Sequence, residues 1–310
     1  MKFEELEQIR KNYTHRFMKT LAISACICLL PGILLFGSFF AVRGSGLFVI
    51  LPLIFLFLFV FSISYIFATI FTKSDKAKYN DAYKTYFVDS ALKKIFTDIN
   101  YLHESGFSSG VLSSTGMMRT GDVYHSNDYV SGKYKDVCFS QADVCIQDEH
   151  SDSDGNTNYV TVFRGRWMVF EFPKKFISKM SIVLKGFRGN LVPRSNLNGK
   201  KIKKMQTESI TFSKKFTVYA EDGLEMFYIL TPDIIQRIED IAVEGKRKII
   251  FCFVDNKLHV GLHNNNDAFE PPRPFKPIDE NVELIKIQAD IKPITDFIDS
   301  LKLDKKLFKN

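Results

Sequence analysis

Two long stretches without a charged residue, only four residues apart, set the first constraint on this chain. Residues 21–42 and 47–71 contain no Asp, Glu, Lys, Arg or His, and the link between them is Arg43, Gly44, Ser45 and Gly46. About 20 apolar residues in helical form cross the ~30 Å hydrocarbon core of a bilayer, so each stretch is long enough to span. So short a link forces the two helices to be antiparallel neighbours. A signal peptide does not fit the first stretch, because the apolar run is too long and a second follows at once. Of the 52 residues from 20 to 71, 38 are apolar, against 45% for the whole chain. The mean hydropathy of −0.05 is therefore the average of a hydrophobic hairpin and a polar remainder.

Basic residues near the ends of the spans set their orientation. Lys2, Arg10, Lys11, Arg16 and Lys19 precede the first, and Lys73, Lys76, Lys78 and Lys84 follow the second, whereas the link holds only Arg43. This pattern predicts a cell (inner) membrane protein with two spans and both termini cytoplasmic. Ion and proton pathways place ionisable groups within the membrane. Spans without such groups read as an anchor, in which Pro31, Gly32, Gly37 and Pro52 kink or pack the pair or are simply tolerated. Cys26 and Cys28 lie in the first span, and Cys138, Cys145 and Cys252 lie beyond it. In a reducing compartment with no C-x-x-C, these are expected to be free thiols.

The remainder divides into an N-terminal segment, 1–19, the hairpin, 20–72, a connecting amphipathic helix, 73–104, and a cytoplasmic domain, 105–310. Tyr79, Tyr83, Phe87, Ala91, Ile95, Ile99 and Leu102 recur every three or four positions, the period of one helix face. Short apolar runs at 137–146, 159–163, 167–172 and 181–184 read as strands. Asp154-Gly155, Arg164-Gly165 and Pro173 are read as the turns between them. Residues 208–219 add strand material. Asp222 with Glu225 has capping-box spacing, so 223–230 is a short helix or a buried strand. Thr231-Pro232 is an N-cap followed by Pro at the first helical position, opening a helix that Gly245 closes. Residues 248–254 and 257–262 form a hairpin across Asp255-Asn256. A Pro-rich stretch, with Pro271, Pro272, Pro274 and Pro277, leads into a last helix over 281–302 that Pro293 is expected to interrupt. The fold class is α+β, a transmembrane helical hairpin followed by an antiparallel sheet with packed helices.

The stretch Phe216-Thr-Val-Tyr-Ala-Glu-Asp222, continuing Gly-Leu-Glu-Met-Phe-Tyr-Ile-Leu-Thr-Pro232, resembles a bacterial family known as a domain of unknown function, number three-one-three-seven. Phe163-Arg-Gly-Arg-Trp167, Phe170, Phe172, the hairpin at 248–262 and Phe269-Glu-Pro271 support the likeness. The chain departs from the family pattern after Glu225, where Met226 and Phe227 replace a small and a basic residue. The resemblance implies two N-terminal spans and a mixed cytoplasmic domain. It implies no reaction.

Several constellations were tested for chemistry. His259 and His263 fall on one strand face, and Asp255 and Asp267 are possible helpers, but zinc needs three or four ligands and a surface hairpin is the simpler reading. Asp152, Asp154 and Gly155 fail the spacing of a calcium loop and suit a solvated turn. Phosphate-binding glycine loops and nucleophile elbows are missing from the sequence. A hairpin could bring Cys252 near His259. A reactive thiolate needs an electropositive, partly exposed site, whereas Cys252 sits between Phe251 and Phe253, so core packing is the better explanation. No cofactor is expected.

One segment stands out. Residues 164–204 hold twelve Lys or Arg against one acid, Glu171, so the rest of the chain is net acidic although the whole carries +7. Lys185, Arg188, Arg194, Lys200, Lys201, Lys203 and Lys204 sit in a long loop region. Such a loop is either simply solvated or meets anionic lipid headgroups or an acidic protein, with nucleic acid disfavoured. The expected function is a membrane-anchored binding or scaffold module that is not an enzyme. The alternatives are a membrane-bound hydrolase acting on a lipid or envelope precursor with His259, His263, Asp255 and Cys252, and an accessory subunit of a transport complex.

Overall fold

The computed structural model describes residues 1–43, 50–116, 118, 121–152, 156–173, 175–185, 202–245 and 248–303, leaving aside the side chains of 30–43, 50–53 and 243–245. The chain divides into two compact units. One comprises residues 1–88 with 271–283, and the other comprises 89–270 with 284–310.

The first unit is helical. α1 (Phe3–Arg43) and α2 (Ile50–Phe71) pair, with the Phe17 ring 5.8 Å from Tyr65. Within α2, Ile54–Phe71 is long and apolar enough to cross a membrane, about 27 Å of helix. The first expected span, 21–42, lies in α1. Its side chains from Leu30 onward and the link 44–49 lie outside the described residues. α3 (Lys73–Tyr83) follows, with Tyr79 stacked on Tyr13 at 6.3 Å.

The Pro-rich stretch 271–283 belongs to this unit, where the sequence suggested a lead-in to the last helix. Proline has no N–H, so its carbonyl is the backbone group left to bond. The Pro274 carbonyl accepts from Arg10 Nη1 at 2.6 Å and Thr14 Oγ1 at 2.9 Å, and the Pro272 carbonyl accepts from the Tyr79 hydroxyl at 3.0 Å. The Ile278 N–H donates to Glu7, and the Tyr83 and Tyr86 hydroxyls donate to Glu283 and Glu280.

The expected helix over 73–104 stops early. A π-helical turn (Lys84–Asp89) and α4 (Ser90–Ile95) extend it, and then the chain becomes β1 (Thr97–Leu102). The apolar stripe explains the break. Tyr79, Tyr83, Phe87 and Ala91 are buried, but Ile95 and Leu102 are exposed, and β1 pairs with the next strand through Tyr101↔Val130.

The second unit is built on an antiparallel sheet of nine strands among the described residues. β1 is followed by α5 (Ser109–Ser113), β2 (Val123–Tyr134), β3 (Val137–Ser151), β4 (Thr157–Glu171), β5 (Met180–Leu184) and β6 (Lys203–Met205). Then come α6 (Ile210–Lys215), β7 (Phe216–Ala220), α7 (Gly223–Ile229), α8 (Pro232–Gly245), β8 (Lys248–Val254), β9 (Lys257–His263) and α9 (Glu280–Leu301). The strand order is β1-β2-β3-β4-β9-β8-β5-β7-β6. On one face, Phe107, Leu112 and Met118 cover Ala142, Val144, Trp167, Val169, Ile250 and Cys252. On the other, Phe297 of α9 meets Phe170 at 6.4 Å and Phe251 at 6.1 Å.

Three expectations change here. Arg164-Gly165 is not a turn, because β4 runs through it; Gly165 lies where a Cβ would fall 2.2 Å from the Leu262 carbonyl oxygen. Residues 208–219 are part helix, since the Ser209 side chain accepts from the Phe212 N–H and starts α6. Pro293 does not interrupt α9, in which Ile287, Ile291, Ile294 and Ile298 form a buried stripe.

The open choice at 223–230 resolves as helix. Asp222 Oδ1 accepts from the Leu224 N–H at 2.7 Å and the Glu225 N–H at 3.1 Å. Asp222→Ala is expected to cost about 1 kcal/mol, the usual value of an N-cap. Faster hydrogen exchange at the Leu224 and Glu225 amides would register the loss, and unchanged exchange would refute the capping role.

Candidate interaction edge

Among the described residues β6 is the outermost strand, and it pairs with β7 through Lys203↔Ala220, Lys204↔Tyr219 and Met205↔Val218. β5 flanks β7 on its other side. The described chain stops at Lys185, just after β5, and resumes at Ile202, just before β6, so both ends of residues 186–201 are at this edge. Of the basic residues singled out in the sequence, Lys185, Lys203 and Lys204 stand here, whereas Arg188, Arg194, Lys200 and Lys201 lie outside the described residues. Lys203 and Lys204 are exposed. Lys185 Nζ donates to the Ser213 carbonyl at 2.6 Å, which fixes it against α6.

Two grooves adjoin the strand. One of about 340 Å³ is lined by Lys185, Lys204, Lys214, Thr207, Ile210 and Ser213. The other, about 430 Å³, lies between Thr207, Ser209 and the apolar side chains Met226, Phe227, Leu230 and Ile235, with Glu239 at its margin. Lys215 Nζ approaches Glu239 at 3.7 Å.

The edge also shows large apolar side chains to solvent, namely Ile177 (86% exposed), Leu224 (85%) and Ile210 (74%), with Phe227 and Tyr228 half exposed. α7 explains part of this. Met226 and Ile229 point into the core, so its other positions face outward. The Ile177 N–H donates to Glu225 Oε1 at 2.5 Å, and Met205 lies beside Gly223, so strand, loop and helix form one surface. Large apolar groups beside lysines are the features that make this edge the candidate interaction surface.

The other constellations do not converge. Cys252 and His259 are cross-strand partners beneath α5, and both are buried. Burial pushes the Cys252 thiol up to about 11 and the His259 imidazole down to about 3, so at neutral pH one is a thiol and the other uncharged. The Trp167 Nε1–H donates to His259 Nδ1 at 3.3 Å. His263 stands four residues further along β9, about 13 Å away by strand rise, and its Nδ1 accepts from the Arg164 N–H. Asp255 lies in the turn at the opposite end of the hairpin, and Asp267 pairs with Arg164 at 2.8 Å. The four hydrolase candidates thus share no cleft. Among the described residues no three His, Cys, Asp or Glu side chains gather as a metal site. Asp152 accepts from the Asn156 backbone N–H and side-chain amide, while Asp154 lies outside the described residues.

A buried polar group escaped the sequence reading. Asp143 and Arg166 face each other across β3 and β4, 3.7 Å apart. Burial pushes Asp143 up to about 7, against the opposing pull of Arg166. Asp143 also accepts from the Ala268 N–H, and Arg166 donates to the Asp290 carbonyl and lies 5.4 Å over the Phe269 ring. Next to them the Tyr101 hydroxyl donates to Asp128 at 2.5 Å. The group ties the 267–270 loop and α9 to the sheet. Only the strand register brings these residues together, and no local spacing announces it.

Residues 161–303 match the family described as "Protein of unknown function (DUF3137)". All the segments that carried the family resemblance lie within that range except for the two spans, which the match does not reach. No curated protein matches the chain. A solved structure, the mycobacterial trehalose monomycolate transport factor A, TtfA, is similar over 69% of this chain and 94% of its own, at 13% identity and a TM-score of 0.35. A likeness at that score carries no argument about fold or function.

Proposed function

We infer that this chain, which through residues 161–303 belongs to the DUF3137 family, is a membrane-anchored binding or scaffold module and not an enzyme. The observation that carries the reading is α2. Phe55, Phe57, Phe59, Phe61 and Phe71 are exposed on it, and each would cost roughly 1.5–3 kcal/mol in water relative to an apolar surrounding. Lipid supplies that surrounding. The uncharged run 21–42 in α1 then forms the second span, and the lysines and arginines flanking the pair keep both termini in the cytoplasm. The domain held at that leaflet presents the basic and apolar edge around β6 to a partner.

The anchor is tested by alkaline carbonate extraction together with protease protection of tags at both ends. The chain should remain in the pellet and both tags should be digested only from the cytoplasmic side. Release by carbonate, or tags on opposite sides, would overturn the two-span reading.

The edge is tested with full-length chain in zwitterionic nanodiscs offered vesicles containing phosphatidylglycerol. Binding should weaken as salt rises, since exposed charges are screened. Charge reversal at Lys200, Lys201, Lys203 and Lys204 should lower it tenfold or more, from about 1 kcal/mol per basic residue near an anionic surface. Unchanged vesicle binding in the variant would discard the lipid partner. Loss of a crosslinked acidic protein in the same variant would then identify the partner as protein.

A further inference from the structure

The helical unit carries a second basic site of its own. Between α1 and α3 a groove of about 330 Å³ is lined by Asn12, Tyr13, His15, Arg16, Asp75 and Lys78. Its depth relative to α2 follows from the backbone. The Thr72 N–H bonds to the Ala68 carbonyl and the Lys76 N–H bonds to the Thr72 carbonyl, so helical hydrogen bonding carries on from α2 into α3. At 1.5 Å per residue, Asp75 and Lys78 stand about 6 and 10 Å beyond Phe71. The headgroup layer occupies roughly the 5–7 Å outside the hydrocarbon core. The groove is therefore at headgroup depth, and the long Lys78 side chain can reach back to it.

The donors suit one kind of anion. Arg16 Nη1 donates to Asp75 Oδ1 at 2.9 Å, which orients the guanidinium while its side chain stays 66% exposed with further N–H donors open to the groove. Lys78 lies three residues from Asp75 on the same helix and is exposed, and the exposed Asn12 adds an amide. Arg16 and Lys78 against Asp75 leave one net positive charge, the match for a single phosphodiester. The exposed Lys19, Lys73 and Lys76 flank the groove in sequence and repel a headgroup that carries its own ammonium.

We propose that this groove binds the headgroup of an anionic phospholipid, with the phosphodiester held by Arg16 and Lys78 and the acyl chains lying along the apolar surface of α2. The proposal rests on the reading that α2 crosses the membrane. It names a lipid site distinct from the β6 edge.

The test is calorimetric titration of the full-length chain in zwitterionic micelles with dioctanoyl phosphatidylglycerol, dioctanoyl phosphatidylcholine and inorganic phosphate. Phosphatidylglycerol should bind one to one and at least tenfold more tightly than either of the others. Arg16→Gln with Lys78→Gln should lose at least tenfold, Arg16→Lys should keep part of the affinity, and Lys94→Gln should leave it unchanged. Equal binding of the two lipids, equal binding of inorganic phosphate, or full affinity in the double variant would each overturn the proposal. The wild-type preference among the three probes decides even if the double variant misfolds. Carbonate extraction separates the two failures. A chain that resists carbonate but shows no lipid preference refutes the groove alone, whereas a chain that carbonate releases refutes the membrane reading whatever the titration gives.

Discussion

Arg166→Met is expected to destabilise the protein by about 3–5 kcal/mol at pH 8, with a smaller deficit at pH 6. Removing one partner of a buried ion pair leaves the other charge without compensation, and that is where the cost lies. Here the stranded group is Asp143, 2% exposed, which already sits at about 7 because burial outweighs the pull of Arg166. Its folded value exceeds the unfolded carboxylate value of about 3.9. Its proton-linked contribution to stability is therefore fully present below the unfolded value and is lost as pH rises through about 7. Without Arg166 the folded value moves higher still. At pH 6 the variant then buries a neutral acid, and at pH 8 it approaches the cost of a buried carboxylate. Denaturant unfolding of the full chain, followed by circular dichroism at both pH values, measures the difference. A deficit below about 1 kcal/mol, or one that does not change between pH 6 and 8, would show that the pair is not coupled as described.

Gly165→Ala is the second large effect. Gly165 has φ +151°, a conformation that side chains oppose, and a Cβ there would meet the Leu262 carbonyl oxygen at 2.2 Å and Asn264 Oδ1 at 2.9 Å. Either the backbone rotates or β9 retreats, and β4–β9 is the junction between the two halves of the sheet. A loss of about 3 kcal/mol or more is expected, at the upper end for a single substitution. Thermal unfolding should show it, and hydrogen exchange should quicken first along the β4–β9 pair. A variant within about 0.5 kcal/mol of wild type would mean that the close approach relaxes freely.

The same glycine shows where sequence reading reaches its end. A glycine between apolar runs signals either a turn or a close backbone approach, and only the neighbouring strand decides. Features whose cause is local were legible. Asp255-Asn256 marked the β8–β9 hairpin, Thr231-Pro232 the start of α8, and Asp222 the cap of α7. β2 was not legible, because its 12 residues include Ser126, Asn127, Asp128, Ser131, Gly132 and Lys133 and carry no sustained alternation. Its place comes from pairing with β1 and β3. At the candidate edge, the lysines could be counted from the sequence. That Ile177, Ile210 and Leu224 face outward could not, because exposure of an apolar residue is a property of the assembled fold. Asp143 and Arg166 lie 23 positions apart and meet only through register.

The stretch 271–283 makes the helical unit discontinuous, and this bears on the order in which the protein is made. Arg10, Thr14 and Tyr79 leave the ribosome early, but Pro272 and Pro274, whose carbonyls they bond, follow some 190 or more residues later. At about 5–20 residues per second the delay is roughly ten to fifty seconds. Throughout that interval α1 and α3 must persist without the 271–283 segment that bonds to them, and the sheet must grow on a chain whose ends are not yet joined. Completion of the helical unit thus waits on synthesis of the sheet, so a chain truncated before Pro271 lacks part of that unit as well as its last helix.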